Sequence, residues 1–227
     1  MLLSFATNEG GMSMPGFSRS FLFTLFALAM WGNASAAMSV LSFGGETNGT
    51  VVDQAYGDRL AMTPNVVVSY GPGDQSIAHW DFGYGDLEGI LYSLQNAALG
   101  VLEVTLSADP GYLVNLTGFD LGGWERLDWT IDLVEVRADG VPVFAESNAS
   151  IEGTNGHSSF DFPTGIVGRD VLIRFDAGNL GSEQDNIGID NIAFSQAPVP
   201  LPASVLLFGS ALLGLAGHRR LVARRRN

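Results

Sequence analysis

The sequence predicts an all-β body, an antiparallel sandwich, set between two terminal segments that do not belong to it. Three observations predict this. Between Ala37 and Gln196 the chain shows eight to ten short runs of alternating or β-branched residues. These runs are broken at Gly, Asp and Pro, and no convincing helical period stands among them. The 227-residue chain has no cysteine, so its body must be held by a core and not by disulfides. At about 160 residues that body is one domain's worth, long enough to bury such a core.

Taken in order, Met38 to Phe43 (MSVLSF) alternates and opens the domain. A Gly- and Asn-rich stretch follows, with strand character only around Val51. Val66 to Tyr70 is β-branched and ends at the turn Gly71-Pro72-Gly73-Asp74. Ile77 to Phe82 alternates, and GYGDLEG then breaks it. Leu91 to Ala98 reads as a helical turn or a loop. Val101 to Ala108 (VLEVTLSA) places Val101, Glu103, Thr105 and Ser107 on one face, with Leu102, Val104 and Leu106 on the other. Asp109-Pro110-Gly111 leads directly into YLVNLTGFDL, a spacing that predicts a hairpin. Leu127 to Arg137 is a long strand with a bend near Asp132. Asp139-Gly140 then turns the chain into Val141 to Ala145, and Asp-Gly between alternating runs is a strong hairpin signal. Pro142 cannot donate to a ladder, so it belongs on an edge or facing outward. Ser158 to Phe162, Asp170 to Asp176 and Asn186 to Phe194 complete the set.

Residues 1–36 read as a secretory signal peptide. Arg19 supplies the positive region, Phe21 to Trp31 the apolar region and Ala34-Ser35-Ala36 the cleavage site. Residues 1–11 place Glu9 ahead of this pattern, which points to Met12 or Met14 as the initiator. Residues 197–227 form the other terminal segment. It opens on Val199-Pro200-Leu201-Pro202-Ala203 and continues through an uncharged apolar run to Gly217. It ends in Arg219, Arg220, Arg224, Arg225 and Arg226. Prolines hold a segment extended, as a peptidase grips it. An arginine cluster beside an apolar run stays on the cytoplasmic side. The run has 15 residues from Ala203, or 19 with the proline motif, against the roughly 20 of a lone spanning helix. It is a marginal hydrophobic anchor, suited to recognition and removal.

The order of motif, apolar run and arginine cluster resembles the PEP-CTERM class of bacterial sorting signals in its VPLPA variant. That resemblance implies an exosortase as processing partner, cleavage near the motif and a transient stay in the inner membrane. Export to the cell surface or extracellular matrix follows. The plain alternative is an ordinary C-terminal anchor, and both put the body outside the cytoplasm. More weakly, LEVTLSADPGYLVNLTGFDLGGW, VEVRADGVPVF and DNIGIDNIAF resemble the jelly-roll domains that precede such tails. They are also similar to carbohydrate-binding modules of galactose-binding-like fold. This likeness implies a fold more than an activity.

Charge narrows the functions. The body holds five arginines and no lysine against 23 acidic residues, a formal charge of −18. Such a surface repels nucleic acid and anionic lipid and keeps a protein soluble outside the cell. Catalysis has little support. There is no cysteine, P-loop, G-x-S-x-G elbow or H-E-x-x-H pair, and His79 and His157 sit in strand-like and Gly-rich surroundings that suit structural or solvent-exposed roles. The expectation is a non-enzymatic protein.

Two kinds of ligand remain. In Asn186 to Phe194, strict alternation puts Asp190 on the face of Ile192 and Phe194, where a carboxylate must be paired, hydrogen-bonded or bound to a cation. The jelly-roll resemblance implies a structural Ca²⁺ held by Asp190 from the last strand and Glu46 from the first loop. A bulge that turns Asp190 away, or backbone amides bonded to it, would serve as well. For carbohydrate, an aromatic face must stack on the sugar ring beside amides and carboxylates. Trp80, Tyr84, Trp124 and Trp129 are the obvious aromatics; Trp124, following two glycines, and Tyr84 are the candidates, while Trp129 inside a strand suits the core. The expected function is an exported, non-catalytic module associated with exopolysaccharide. The alternative is a structural or adhesive envelope protein with no specific ligand.

Overall fold

The computed structural model describes residues 37–73, 76–94, 99–199 and 208. Among these residues the chain forms eleven strands in the order β1 (Met38–Leu41), β2 (Val66–Gly71), β3 (Ile77–Trp80), β4 (Ile90–Ser93), β5 (Val101–Ala108), β6 (Tyr112–Gly123), β7 (Trp129–Ala138), β8 (Val141–Ile151), β9 (Ser158–Gly168), β10 (Asp170–Asp176) and β11 (Ile187–Pro198). One sheet runs β3-β4-β11-β6-β9, with β1 also paired to β11. The second runs β2-β5-β10-β7-β8. All pairings are antiparallel, and the two sheets form the predicted sandwich.

The period-2 pattern decides which side chains meet between the sheets. β5 alternates half-buried and buried along its whole length, so Leu102, Val104 and Leu106 enter the core and Glu103, Thr105 and Ser107 do not. Phe43, Leu116, Ile131, Phe175 and Phe194 fill the same core and are fully buried. The β7–β8 hairpin forms as expected. Ala138 stands opposite Val141, and the two turn residues Asp139 and Gly140 take φ of 51° and 80°. Two positive φ values in succession match the twist of the flanking strands, and Gly takes the second without a Cβ penalty. Pro142 lies in β8, an edge strand.

Two expectations fail. Asp109-Pro110-Gly111 does not make a hairpin. β5 pairs with β2 and β10, whereas β6 pairs with β11 and β9, so the turn carries the chain from one sheet to the other. Both strands point an apolar face into one core, and a hairpin has the same alternation and turn chemistry. The segment from Leu91 is neither helical turn nor loop, because Ile90–Ser93 is β4 and is buried at every residue. Leu91 faces the central core while Ile90 and Tyr92 join a second apolar cluster, so the run lacks alternation. Residues 95–98 lie outside the described residues. The last strand also runs to Pro198, two residues beyond the expected domain boundary at Gln196.

The sandwich treats its two sides differently. On one side the loop 44–65 covers both edges. Asp58 Oδ1 accepts from the Val68 N–H at 2.6 Å, Gln54 Oε1 accepts from the Tyr70 N–H at 3.0 Å, and Val51 bridges to Ala78 beside β3. These contacts cap donors that an open edge would present to another chain. On the other side β8 lies at the open edge, with most of its residues exposed.

Candidate ligand cleft on the outer sheet face

The site begins with two glycines. Gly122 of β6 and Gly188 of β11 stand opposite each other in the ladder and leave a bare patch on the face of the sheet that points away from the core. A Cβ on Gly188 would sit 2.8 Å from the Ile90 side chain and 3.0 Å from the Tyr84 ring, and one on Gly122 would collide with the Tyr84 carbonyl oxygen. The loop from Asp81 to Gly89 crosses here. Tyr84 lies on the patch at 4% exposure and donates its hydroxyl to Asp185 O at 2.7 Å. Burial, then the nearby Asp185 charge, drives its pKa well above the usual tyrosine value. Tyr84 is therefore no exposed sugar platform. It is the floor on which other aromatics rest.

Those aromatics form one cluster. Trp124 begins a 3-10 turn, Trp124–Arg126, directly after β6, and its N–H donates to Asn186 O at 2.8 Å. Its ring centroid lies 5.0 Å from Tyr84 and 5.4 Å, perpendicular, from Trp80. Phe82 stands 6.3 Å from Trp124 and is 61% exposed. The Trp80–Trp124 contact is edge-to-face and the other two are tilted, arrangements that aromatic quadrupoles favour over face-to-face stacking. Trp80, Tyr84, Tyr92, Trp124, Asp185 and Asn186 line a cavity of about 210 Å³. The Trp80 indole nitrogen is buried there without a partner. Burial, followed by the Glu183 charge, raises the Asp185 pKa. The cleft thus sets fixed, partly exposed aromatic faces beside a carboxyl and an amide. Trp129, expected in the core, is only half-buried, packs against the core's margin and donates Nε1–H to Trp124 O at 3.3 Å.

A polar chain ties the same loop down. His157 Nδ1 lies 2.7 Å from Asp86 Oδ1, His157 Nε2 lies 3.5 Å from Asp120 Oδ1, and Asn191 donates to Asp120 Oδ2 at 2.9 Å. Burial pulls the His157 pKa down, but the Asp86 hydrogen bond and the charges of Asp120, Asp86 and Asp190 outweigh it, and the net change is upward. The same hydrogen bond lowers the Asp86 pKa. His157 thus links the 81–89 loop to β6 through two carboxylates.

Asp190 does not share a face with Ile192 and Phe194. The ladder slips between Asp190 and Ala193, with Asn191 at φ 52°, so Ile189 and Ile192 enter the core and Asp190 falls on the face of Gly188 and Asp120. It stands where β11 leaves β4 and takes up β1. It is 3% exposed and its Oδ1 has no partner. Burial lifts its pKa to about 7, against the opposing pull of the Asn191 and Phe43 amides. Glu46 is exposed and lines a separate cavity of about 330 Å³ with Asp53, Tyr56 and the buried His79. Tyr56 is the link between them. Burial raises its pKa first, and the charges of Glu46 and Asp190 raise it further. Among the described residues no three His, Cys, Asp or Glu side chains are arranged to hold a metal ion. A calcium ion at Asp190 would have to take most of its six to eight ligands from carbonyl oxygens and water.

Phe82, Asp86, Asp120, Asp185 and the glycine pair were not singled out by the sequence. The glycines alone carried a signal, since glycine inside a strand marks close approach by another chain segment. Of the sorting motif only Val199 is described, and its N–H donates to Gly111 O at 2.9 Å. Pro200 to Ala203, the arginines from Arg219 to Arg226 and the signal peptide lie outside the described residues. No described helix is long and apolar enough to cross a membrane.

Residues 198–220 match the family model described as the PEP-CTERM protein-sorting motif. The chain carries this exosortase recognition signal, which marks it for export and processing. Comparison with curated proteins gives no match. Among solved structures, the chain is similar to the family 32 carbohydrate-binding module of C. perfringens NanJ in complex with galactose. That likeness is 11% identical, covers 59% of this chain and 94% of that one, and has a TM-score of 0.32. An apo cyclase from Fischerella sp. is 15% identical over 74% of this chain and 100% of its own, with a TM-score of 0.31. The enzymatically active domain of a bacteriophage tailspike protein is 18% identical over 65% of this chain and 21% of its own, at 0.32. Scores this low carry no functional argument.

Proposed function

We propose that the exported body acts outside the inner membrane as a non-catalytic polysaccharide-binding module, with the cleft at Trp80 and Trp124 and the exposed Phe82 beside it as its contact surface. One observation carries this reading: an exposed aromatic, Phe82, stands against two partly exposed tryptophans, of which Trp124 rests on buried Tyr84 and Trp80 meets Trp124 and Tyr92 edge-on. A sugar ring offers an apolar C–H face for such rings and hydroxyls for Asp185 and the backbone around Asn186. Rigid aromatics lose little freedom on binding, which favours affinity. The acidic body favours neutral or cationic polymers over anionic ones.

The test is affinity electrophoresis of the mature protein against exopolysaccharide from its own host, with Trp124→Ala and Phe82→Ala variants. Each is expected to weaken binding about ten-fold, the equivalent of roughly 1.4 kcal/mol. Equal retardation of wild type and both variants would remove the cleft from consideration. No retardation of any of them would favour a structural envelope protein with no specific ligand.

A further inference from the structure

The last strand does not stop short of the sorting motif but runs into it. Gln196, Ala197 and Pro198 of β11 stand opposite Val114, Leu113 and Tyr112 of β6, and the Val199 N–H is bonded to Gly111 O. The Gln196 side chain accepts from the Asn65 N–H at 2.8 Å. The matched motif begins at residue 198, so its first two residues already belong to the ladder or its continuation. No spacer intervenes, because Phe194, only four residues before Pro198, is fully buried in the core. Peptide-binding clefts commonly take their ligand as an extended strand through its main-chain N–H and C=O groups. At Val199 the N–H is already engaged.

We propose that the end of β11 is a latch on processing: exosortase gains its segment only when Ala197–Val199 peels away from Gly111–Leu113. The latch rests on the sorting function of the tail. Its construction favours local opening over global unfolding. β1 pairs with β11 only as far as Ser195, so beyond that point β11 is laddered on one flank alone. Strand ends of this kind open far more often than the core does. Cleavage itself breaks one main-chain amide, whose carbonyl carbon passes to water or another nucleophile while its nitrogen leaves as the amine of the tail fragment. The latch takes no part in that chemistry and sets only how often the bond is presented. A folded body is thus kept at the membrane until this end frays.

Pulse–chase of tail loss in the exosortase-bearing host tests this with three full-length chains. The first is wild type. The second carries a six-residue Gly-Ser spacer between Pro198 and Val199. The third is Leu113→Cys with Ala197→Cys, register partners in a chain with no other cysteine. Opposed residues of an antiparallel pair lie within disulfide reach, and the exported body meets an oxidising compartment. The spacer carries Val199 and all that follows clear of the ladder, so the motif is presented without the strand end having to open. Tail loss is expected to quicken about ten-fold, the equivalent of one or two net hydrogen bonds that need no longer be broken. The cross-link is expected to stop tail loss, and reductant to restore the wild-type rate. Equal rates for all three chains would overturn the latch and leave the sorting function standing. A wild-type chain that keeps its tail would sink both.

Discussion

Replacing Asp190 by Asn should make the protein more stable at pH 8 and leave it nearly unchanged only below the unfolded carboxyl's value of 3.8. The unfolded chain ionises this carboxyl near 3.8, whereas the folded one holds its proton to about 7. Between these values folding takes up a proton. Asp190's contribution is therefore fully present at the acid end, is lost as pH rises, and levels off above about 7. At 1.36 kcal/mol per unit, the full gap amounts to about 4 kcal/mol. Water and neighbouring dipoles relax around a buried charge, so about 2 kcal/mol is a fairer expectation. For a domain of this size that is a gap of roughly 4–8 °C in Tm between wild type and Asp190→Asn at pH 8. Calorimetry of both proteins in EDTA, from about pH 3.5 to pH 8, measures it. Asp86, Asp109 and Asp128 have lowered pKa values and oppose this trend, but they are common to both proteins and cancel in the difference. An Asp190→Asn protein less stable than wild type at pH 8 would refute the reasoning. The amides of Asn191 and Phe43 would then hold the ionised carboxylate more tightly than burial penalises it. Adding calcium at pH 8 extends the assay. A wild-type gain absent with magnesium and absent in Asp190→Asn would mean that Asp190 holds the ion.

Three further outcomes are expected. Gly122→Ala places a methyl group on the Tyr84 carbonyl and should lower Tm by about 4–8 °C, an overpacking cost of roughly 2 kcal/mol; an unchanged Tm would mean the 81–89 loop is not seated as described. His157→Ala breaks the tie from Asp86 to Asp120, so amide exchange in the 81–89 loop should quicken while exchange in β5 and β10 stays as it was. Changing Pro200 and Pro202 to Ala should leave the tail attached. In wild type, mass spectrometry should find a mature chain beginning near Ala37 and ending at or before the motif, and recovery of Arg224 to Arg226 on extracellular protein would contradict it.

Two levels of information separate cleanly in this chain. The sequence by itself determined what depends on near neighbours: the all-β class, the alternation of β5, the Asp139-Gly140 hairpin, the edge position of Pro142 and the sorting motif, which a peptidase reads as linear chain. Each rests on side-chain period, on the φ preferences of one or two residues, or on a short string. The tertiary structure decided what depends on partners distant in the chain. Asp109-Pro110-Gly111 has the chemistry of a hairpin, yet the pairing of β5 with β2 and β6 with β11 sends the strands to different sheets. Alternation put Asp190 in the core, and one extra residue before Ala193 turned it to the opposite face. Tyr84 read as a candidate for stacking on a sugar ring, a role that needs an exposed face. It is buried because Gly122 and Gly188, 66 residues apart in sequence, become ladder partners and clear a place for it. Local steric and hydrogen-bonding preferences are written residue by residue, whereas the register of strands is settled only when long-range burial selects among pairings that local chemistry leaves equal.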